Sequence, residues 1–393
     1  MACGLLGALG GLMVAIAGIA GCDEELVPVV PPGGGAGAGG SVVMDGGTGD
    51  AAPGEDAAFS DAGDAGIAPV VIGITPTPRA EGDGVPSQAA SFDAELTTLA
   101  VGVRGVVVRR TLREVISGGA APLAFLAERH TANGTQVLFN LALVDHAADG
   151  RPAELSQLAW NAPDMTSSLQ SAVDLVIGAF GESLAYLTFG NSVDVYLSHN
   201  PTQLASFEAM AASVSTYASE HPEAPLALRT GIGFSASGAS AADPSHGNLR
   251  GVGQVAIFSY LPGLSAGQAA PTGDIASALD QMVSLAAGRQ VVVQETGYPS
   301  AALVGGSPDK QRLFFSTLGE ALAPRRASFP FVNVLELHDP SPAACDLRAA
   351  AQGEPSGGNF AAFACSLGLF DLAGSEKPAW GEVAAIAATF ASP

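Results

Sequence analysis

Among the 38 acidic residues of this 393-residue chain, Glu295 has the strongest chemical claim, because it closes the apolar run Val291-Val292-Val293-Gln294-Glu295. A carboxylate at the end of an otherwise buried strand is costly to desolvate, so its presence there calls for a partner or a reaction. Two readings stand: a site carboxylate, or one half of a structural ion pair with a basic residue such as Arg109. A second run, Leu187-Thr188-Phe189-Gly190-Asn191-Ser192-Val193-Asp194, brings a further carboxylate, Asp194. Asp145 and His146 follow a third run, and Glu336, His338 and Asp339 lie in or after a fourth. For each of these taken singly, a satisfied loop or barrel residue is the plainer reading, and together they offer acid–base chemistry by carboxylates and imidazoles. Other chemistries lack their residues. No glycine-rich loop followed by lysine cradles a phosphate, and the six histidines show no paired helical spacing for a metal. There is no Cys-x-x-Cys, and Gly233-Phe234-Ser235-Ala236-Ser237-Gly238 misses the spacing of a nucleophile elbow. Neither a metal nor a cofactor is expected.

The elements that must position these groups are short apolar runs alternating with longer amphipathic stretches. Runs at 70–75, 105–109, 136–143, 184–189, 226–232, 254–259, 290–295 and 331–337 read as strands. Stretches at 122–130, 166–180, 201–220, 274–287 and 309–322 are each long enough for a crossover helix. Strand then helix, eight times over residues 69–393, predicts an α/β fold of the (β/α)8 or TIM-barrel type, with a doubly wound open sheet as the alternative. In a barrel the loops at the C-terminal ends of the strands converge over one mouth, which is where all the carboxylates above fall.

The first 68 residues differ in texture. Residues 1–22 are almost wholly apolar and end Ile19-Ala20-Gly21-Cys22, a secretory pattern that resembles a bacterial lipobox, with Cys22 as the residue to be lipidated. An uncleaved apolar anchor is the other reading. Residues 23–68 contain nine acids and no Lys or Arg among Gly, Ala, Pro and Val, which predicts a flexible, self-repelling tether. An exported lipoprotein of the cell envelope, periplasmic or at the cell surface, meets an oxidising compartment. Cys345 and Cys365 are then expected to form a disulfide across a loop of Gly, Pro and Ser, against the alternative of two buried thiols. The formal charge of −22, from 38 acidic and 16 basic residues, repels phosphate backbones and argues against nucleic acid as a partner. The expected membrane contact is through the lipid anchor.

Several of the strand ends also carry a family resemblance. Glu295-Thr296-Gly297-Tyr298-Pro299-Ser300 is similar to the signature around the nucleophile of plant- and fungal-type β-1,3-glucanases, and Gly190-Asn191-Ser192 resembles the Gly-Asn-Glu that ends the fourth strand in the clan of retaining barrel glycoside hydrolases. Phe258-Ser259-Tyr260-Leu261-Pro262, Leu337-His338-Asp339 and Lys377-Pro378-Ala379-Trp380 resemble further strand-end and closing motifs of that clan. The resemblance implies an oligo- or polysaccharide partner with β linkages, Glu295 as nucleophile, and Asn191, Tyr260, Tyr298, His338 and Asp339 as sugar-binding residues. It also implies an acid/base at position 192, where this chain has serine. A serine hydroxyl holds its proton too tightly to act as the acid, and loss of that role costs about 100- to 10,000-fold in rate. Asp194 is the displaced substitute if the strand continues through it. The expected function is therefore either a weakly active glycoside hydrolase or a carbohydrate-binding pseudoenzyme, with a scaffold lipoprotein as the remaining reading.

Overall fold

The computed structural model describes residues 70–80, 86–240 and 246–391. Residues 1–22, with Cys22, and the acidic stretch 23–68 lie outside them. Eight parallel strands close on themselves. They are β1 (Val71–Ile74), β2 (Gly105–Thr111), β3 (Gln136–Asp145), β4 (Leu184–Asn191), β5 (Arg229–Ser235), β6 (Val255–Tyr260), β7 (Gln290–Thr296) and β8 (Phe331–Val334). Each pairs with its sequence neighbour and β8 pairs with β1, so the sheet is a closed barrel and the open-sheet alternative is excluded. A two-residue strand, Ala148–Asp149, folds back antiparallel on the end of β3.

The expected helices are present with ends shifted by a few residues, as Ala120–Ala132, Pro163–Phe180, Leu204–Ser219, Ile275–Leu285 and Pro308–Leu322. Local chemistry sets these ends. Ser307 caps the last of them by accepting from the Lys310 amide, with Pro308 preset at the first helical position. Helices at Gln88–Ala100 and Ala379–Phe390 complete the outer layer, and the helix Pro342–Ala351 lies on the excursion that follows β8. The fifth strand is displaced from the expected 226–232 because Leu226 is fully exposed within a Pro225–Leu228 turn, leaving the strand to start at Arg229. The eighth stops at Val334, so Glu336 and His338 sit on the segment that leaves the barrel rather than in a strand.

Inside the barrel, Val107, Leu138, Tyr186, Val255, Ile257, Val292 and Phe331 form an apolar plug from six strands. A polar layer lies on it: the Asn140 amide donates to Thr188 Oγ1 (2.8 Å), the Gly190 carbonyl (2.8 Å) and Gln294 Oε1 (2.9 Å). Gly233 faces this layer because a Cβ there would lie 2.6 Å from Gln294 Nε2. The larger core packs between strands and helices.

Candidate active site

Glu295 projects from the C-terminal end of β7, where the pairing register with β6 shifts between Phe258 and Ser259 and that with β8 shifts between Val293 and Thr296. Such irregularities break the alternation of faces, so the consecutive residues Gln294 and Glu295 both reach groups of the mouth. Glu295 is 5% exposed. Its Oε1 accepts from Arg109 Nη1 at 2.8 Å and its Oε2 from Asn191 Nδ2 at 3.1 Å. The ion pair set against a site role is therefore present, but it stands at the mouth: Arg109 comes from the exposed end of β2, its side chain is 33% accessible, and the same Nη1 lies 3.6 Å from Asp145 Oδ2. Arg109 serves two carboxylates at once, which raises its own pKa, Asp145 contributing most.

Asn191 is the centre of the arrangement. Its Nδ2 also donates to Asp145 Oδ1 at 2.9 Å, while its Oδ1 accepts from Ser259 Oγ and Gln294 Nε2, both at 2.8 Å. Every polar atom of this amide is thus used, and its orientation is fixed by groups from β3, β6 and β7. Because Asn191 Nδ2 touches Asp145 and Glu295 together, those two carboxylate oxygens are no more than about 6 Å apart. Burial alone would raise the Asp145 carboxyl, but Arg109 first, then His146 and the Asn191 hydrogen bond, hold it below the usual carboxylate range. Glu336 stands nearby, wholly buried, with Arg348 bidentate on it at 2.7 and 2.9 Å and Thr77 Oγ1 donating at 2.7 Å.

Position 192 differs from its expectation in backbone as well as in residue type. β4 ends at Asn191, Ser192 takes a left-handed conformation (φ 50°), and the helix Val193–His199 starts immediately after it. The strand does not continue to Asp194. The Asp194 carboxylate instead accepts from the Ser235 amide (2.7 Å) and hydroxyl (2.6 Å) at the end of β5, so it is not a displaced substitute beside Glu295. Ser192 is wholly buried and its Oγ has no hydrogen-bond partner among the described residues.

The other expected sugar contacts are engaged by other partners. Tyr298 is 2% exposed, stacks on Phe314 at 5.3 Å and donates to the Ala270 carbonyl at 2.9 Å, so it belongs to the packing outside the barrel. Tyr260 is also buried beside Phe314, which pushes its hydroxyl up to about 12. Parity explains this: Ser259 faces inward to Asn191, and its neighbour Tyr260 faces outward. Asp339 is pinned by Lys377 Nζ and by the Gly368 amide, and burial lifts its carboxyl to about 6 despite that lysine. His338 holds the Thr77 carbonyl at 2.8 Å, and burial lowers its pKa. None of these four residues bonds to Glu295 among the described contacts. Gln294, Ser259 and Arg348, which carry no mark of a site in the sequence, do shape the mouth.

Cys345 and Cys365 are joined, with Cα atoms 5.7 Å apart. The bridge ties the helix Pro342–Ala351, which carries Arg348, to the segment after Asn359–Ala364. Just past that helix Gln352 Nε2 donates to the Asp145 carbonyl (3.1 Å), and Gln352 Oε1 accepts from the Ala147 amide (2.9 Å). The excursion therefore spans from the end of β8 to the end of β3. Among the described residues no group of three or more His, Cys, Asp or Glu is arranged to hold a metal, and no helix is long and apolar enough to cross a membrane.

Solved structures share this architecture. GH5_18 from Bifidobacterium longum superposes with a TM-score of 0.64 at 17% identity, covering 82% of this chain and 80% of that one. GH5_18 from Streptomyces cattleya, in complex with GlcNAc, gives 0.64 at 17% identity over 83% of this chain and 82% of that one. An exo-β-1,4-mannosidase from an Opitutaceae bacterium gives 0.59 at 18% identity, covering 84% of this chain and 61% of that one. The fold is the (β/α)8 barrel of these glycoside hydrolases. No protein-family model matches the chain, and no curated protein matches it.

Proposed function

We propose that this protein is a retaining glycoside hydrolase relative of the cell envelope that acts on β-linked glycans, with Glu295 as nucleophile and no acid at position 192. The observation that carries the reading is the way Glu295 is held: a carboxylate at a strand end, fixed by Arg109 and Asn191, with an Asp145 oxygen no more than about 6 Å away on the same Asn191 donor. In that mechanism a Glu295 oxygen attacks the anomeric carbon, the bond to the leaving oxygen breaks with its electron pair, and a glycosyl ester forms on Glu295. Arg109 and Asn191 keep the carboxylate aimed. The solved structures with Manβ1-4GlcNAc and with GlcNAc support a carbohydrate as the partner. Lipidation at Cys22 would place the domain at a membrane.

Ser192 favours a second reading, a carbohydrate-binding protein without turnover, because nothing at that position protonates a basic leaving group. The two separate on 2,4-dinitrophenyl β-glycosides, whose leaving group needs no proton. The hydrolase reading expects a burst of dinitrophenolate that Glu295→Gln abolishes. Glycan binding without any burst from a panel of gluco-, manno-, galacto- and N-acetylglucosamino-configured substrates leaves the binding reading alone.

A further inference from the structure

Four carboxylates other than Glu295 are candidates for the role that position 192 does not fill, and three are spent elsewhere. Asp194 is consumed by Ser235. Glu336 is wholly buried under Arg348 and Thr77. Asp339 is held by Lys377. Asp145 alone among them shares a hydrogen-bond donor with Glu295 and keeps an accessible face, its side chain being 25% exposed. Its position is fixed from both sides: the register places Asp145 opposite Asn191, the Asn191 amide holds the carboxylate, and Gln352 holds the backbone carbonyl. Catalytic groups need this kind of support to stay within a fraction of an ångström of a working geometry.

We propose that Asp145, one strand over from the vacant position, is the general base of the deglycosylation step. This rests on Glu295 being the nucleophile. A water molecule beside Asp145 attacks the anomeric carbon of the glycosyl ester. The carbon–oxygen bond to Glu295 breaks and returns its electron pair to that carboxylate, and the water's proton passes to Asp145, which later releases it to solvent. The charged groups around Asp145 suit this half of the reaction. Arg109 from β2 and His146 beside it keep Asp145 ionised, the form a base requires, while the opposing charge of Glu295 disappears as soon as the sugar is bound to it. The same ionisation leaves Asp145 without a proton to give in the first step. The substrates that fit are therefore glycosides whose leaving oxygen departs as a stable anion, aryl and acyl glycosides rather than alkyl-linked sugars. The excursion that carries Gln352 becomes a positioning element, because it holds the base in register.

The test is reactivation. Wild-type protein and Asp145→Asn are both loaded with a 2,4-dinitrophenyl 2-deoxy-2-fluoro β-glycoside, and the mass adduct is followed after the excess reagent is removed. Loading of the variant itself reports that its site is folded. The expected result is that Asp145→Asn loads normally but loses the adduct about 100-fold or more slowly than wild type. Sodium azide, which attacks without a base, should speed Asp145→Ala and yield a β-glycosyl azide. Equal reactivation rates in wild type and Asp145→Asn, or an Asp145→Ala variant indifferent to azide, overturn the assignment of the base while leaving Glu295 as nucleophile. Failure of the wild type to load with any configuration overturns the hydrolase reading and this inference with it.

Discussion

Replacing Asn191 with aspartate exchanges one nitrogen for an oxygen and should expose how the two carboxylates are held apart. The Oδ1 that accepts from Ser259 and Gln294 survives, but the donor that sits 2.9 Å from Asp145 and 3.1 Å from Glu295 becomes an oxygen. Two like charges about 3 Å apart at an effective dielectric near 20 repel by about 5 kcal/mol, and the new group faces two of them. Taking up a proton at pH 7 costs a carboxyl of ordinary pKa only about 4 kcal/mol, so protonation wins and caps the loss near that value. The new carboxyl then has a folded-state pKa raised above its unfolded one. Its penalty is absent below the unfolded value near 4 and grows by about 1.4 kcal/mol for each pH unit above it. In thermal melts between pH 4.5 and 8, Asn191→Asp should fall about 8 °C below wild type at pH 7 and approach it near pH 4.5. Asn191→Ala removes the amide instead and orphans the Ser259 and Gln294 donors, so its deficit should vary much less with pH. An Asn191→Asp protein that melts with wild type at pH 7, or with a deficit that ignores pH, would refute the bridging amide.

Ser192→Glu should raise turnover of unactivated glycans by restoring an acid and leave aryl glycosides nearly unchanged; steady-state rates on both classes check it, and a gain confined to aryl substrates contradicts it. Burial alone would raise the Glu95 carboxyl, but His130, Arg129 and Asn133 bring it down to about 2, so the cluster stabilises the fold above pH 4.5 and loses that contribution as pH falls toward 2. Glu95→Gln should therefore cost about 3 kcal/mol in urea melts at pH 7 and little near pH 2, and a pH-independent difference would count against the cluster. Expression in a bacterium with a fatty-acid probe should label the full chain and not Cys22→Ser; label on both would remove the lipobox reading.

The barrel was legible because buried parallel strands read as Val- and Ile-rich runs whatever surrounds them, as at 290–295 and 105–109. The start of strand five is not legible, because Leu226 looks like core in sequence and is fully exposed in the fold. Glu295 was legible as a lone charge closing an apolar run. Gln294 was not, since strict alternation turns one of two neighbours outward and only the broken register brings both to the mouth. The same parity hid the outward turn of Tyr260 and the burial of Tyr298 against Phe314, a contact between residues 16 apart in sequence and on different elements. The turn that carries Asp194 away from Glu295 is not legible, because a left-handed serine at 192 carries no sequence mark such as glycine. The pairing of Asp145 with Glu295 depends on barrel closure and register, which no single segment contains.

The covalent role of Glu295 is open to direct observation. Incubating the protein with 2-deoxy-2-fluoro β-glycosyl fluorides of several configurations, then digesting it and sequencing the labelled peptide by tandem mass spectrometry, locates any glycosyl ester. The account predicts one sugar per chain on Glu295 for at least one configuration, and no label on Glu295→Gln. A label on any other residue, or none on a folded protein that binds the same glycan, would contradict it.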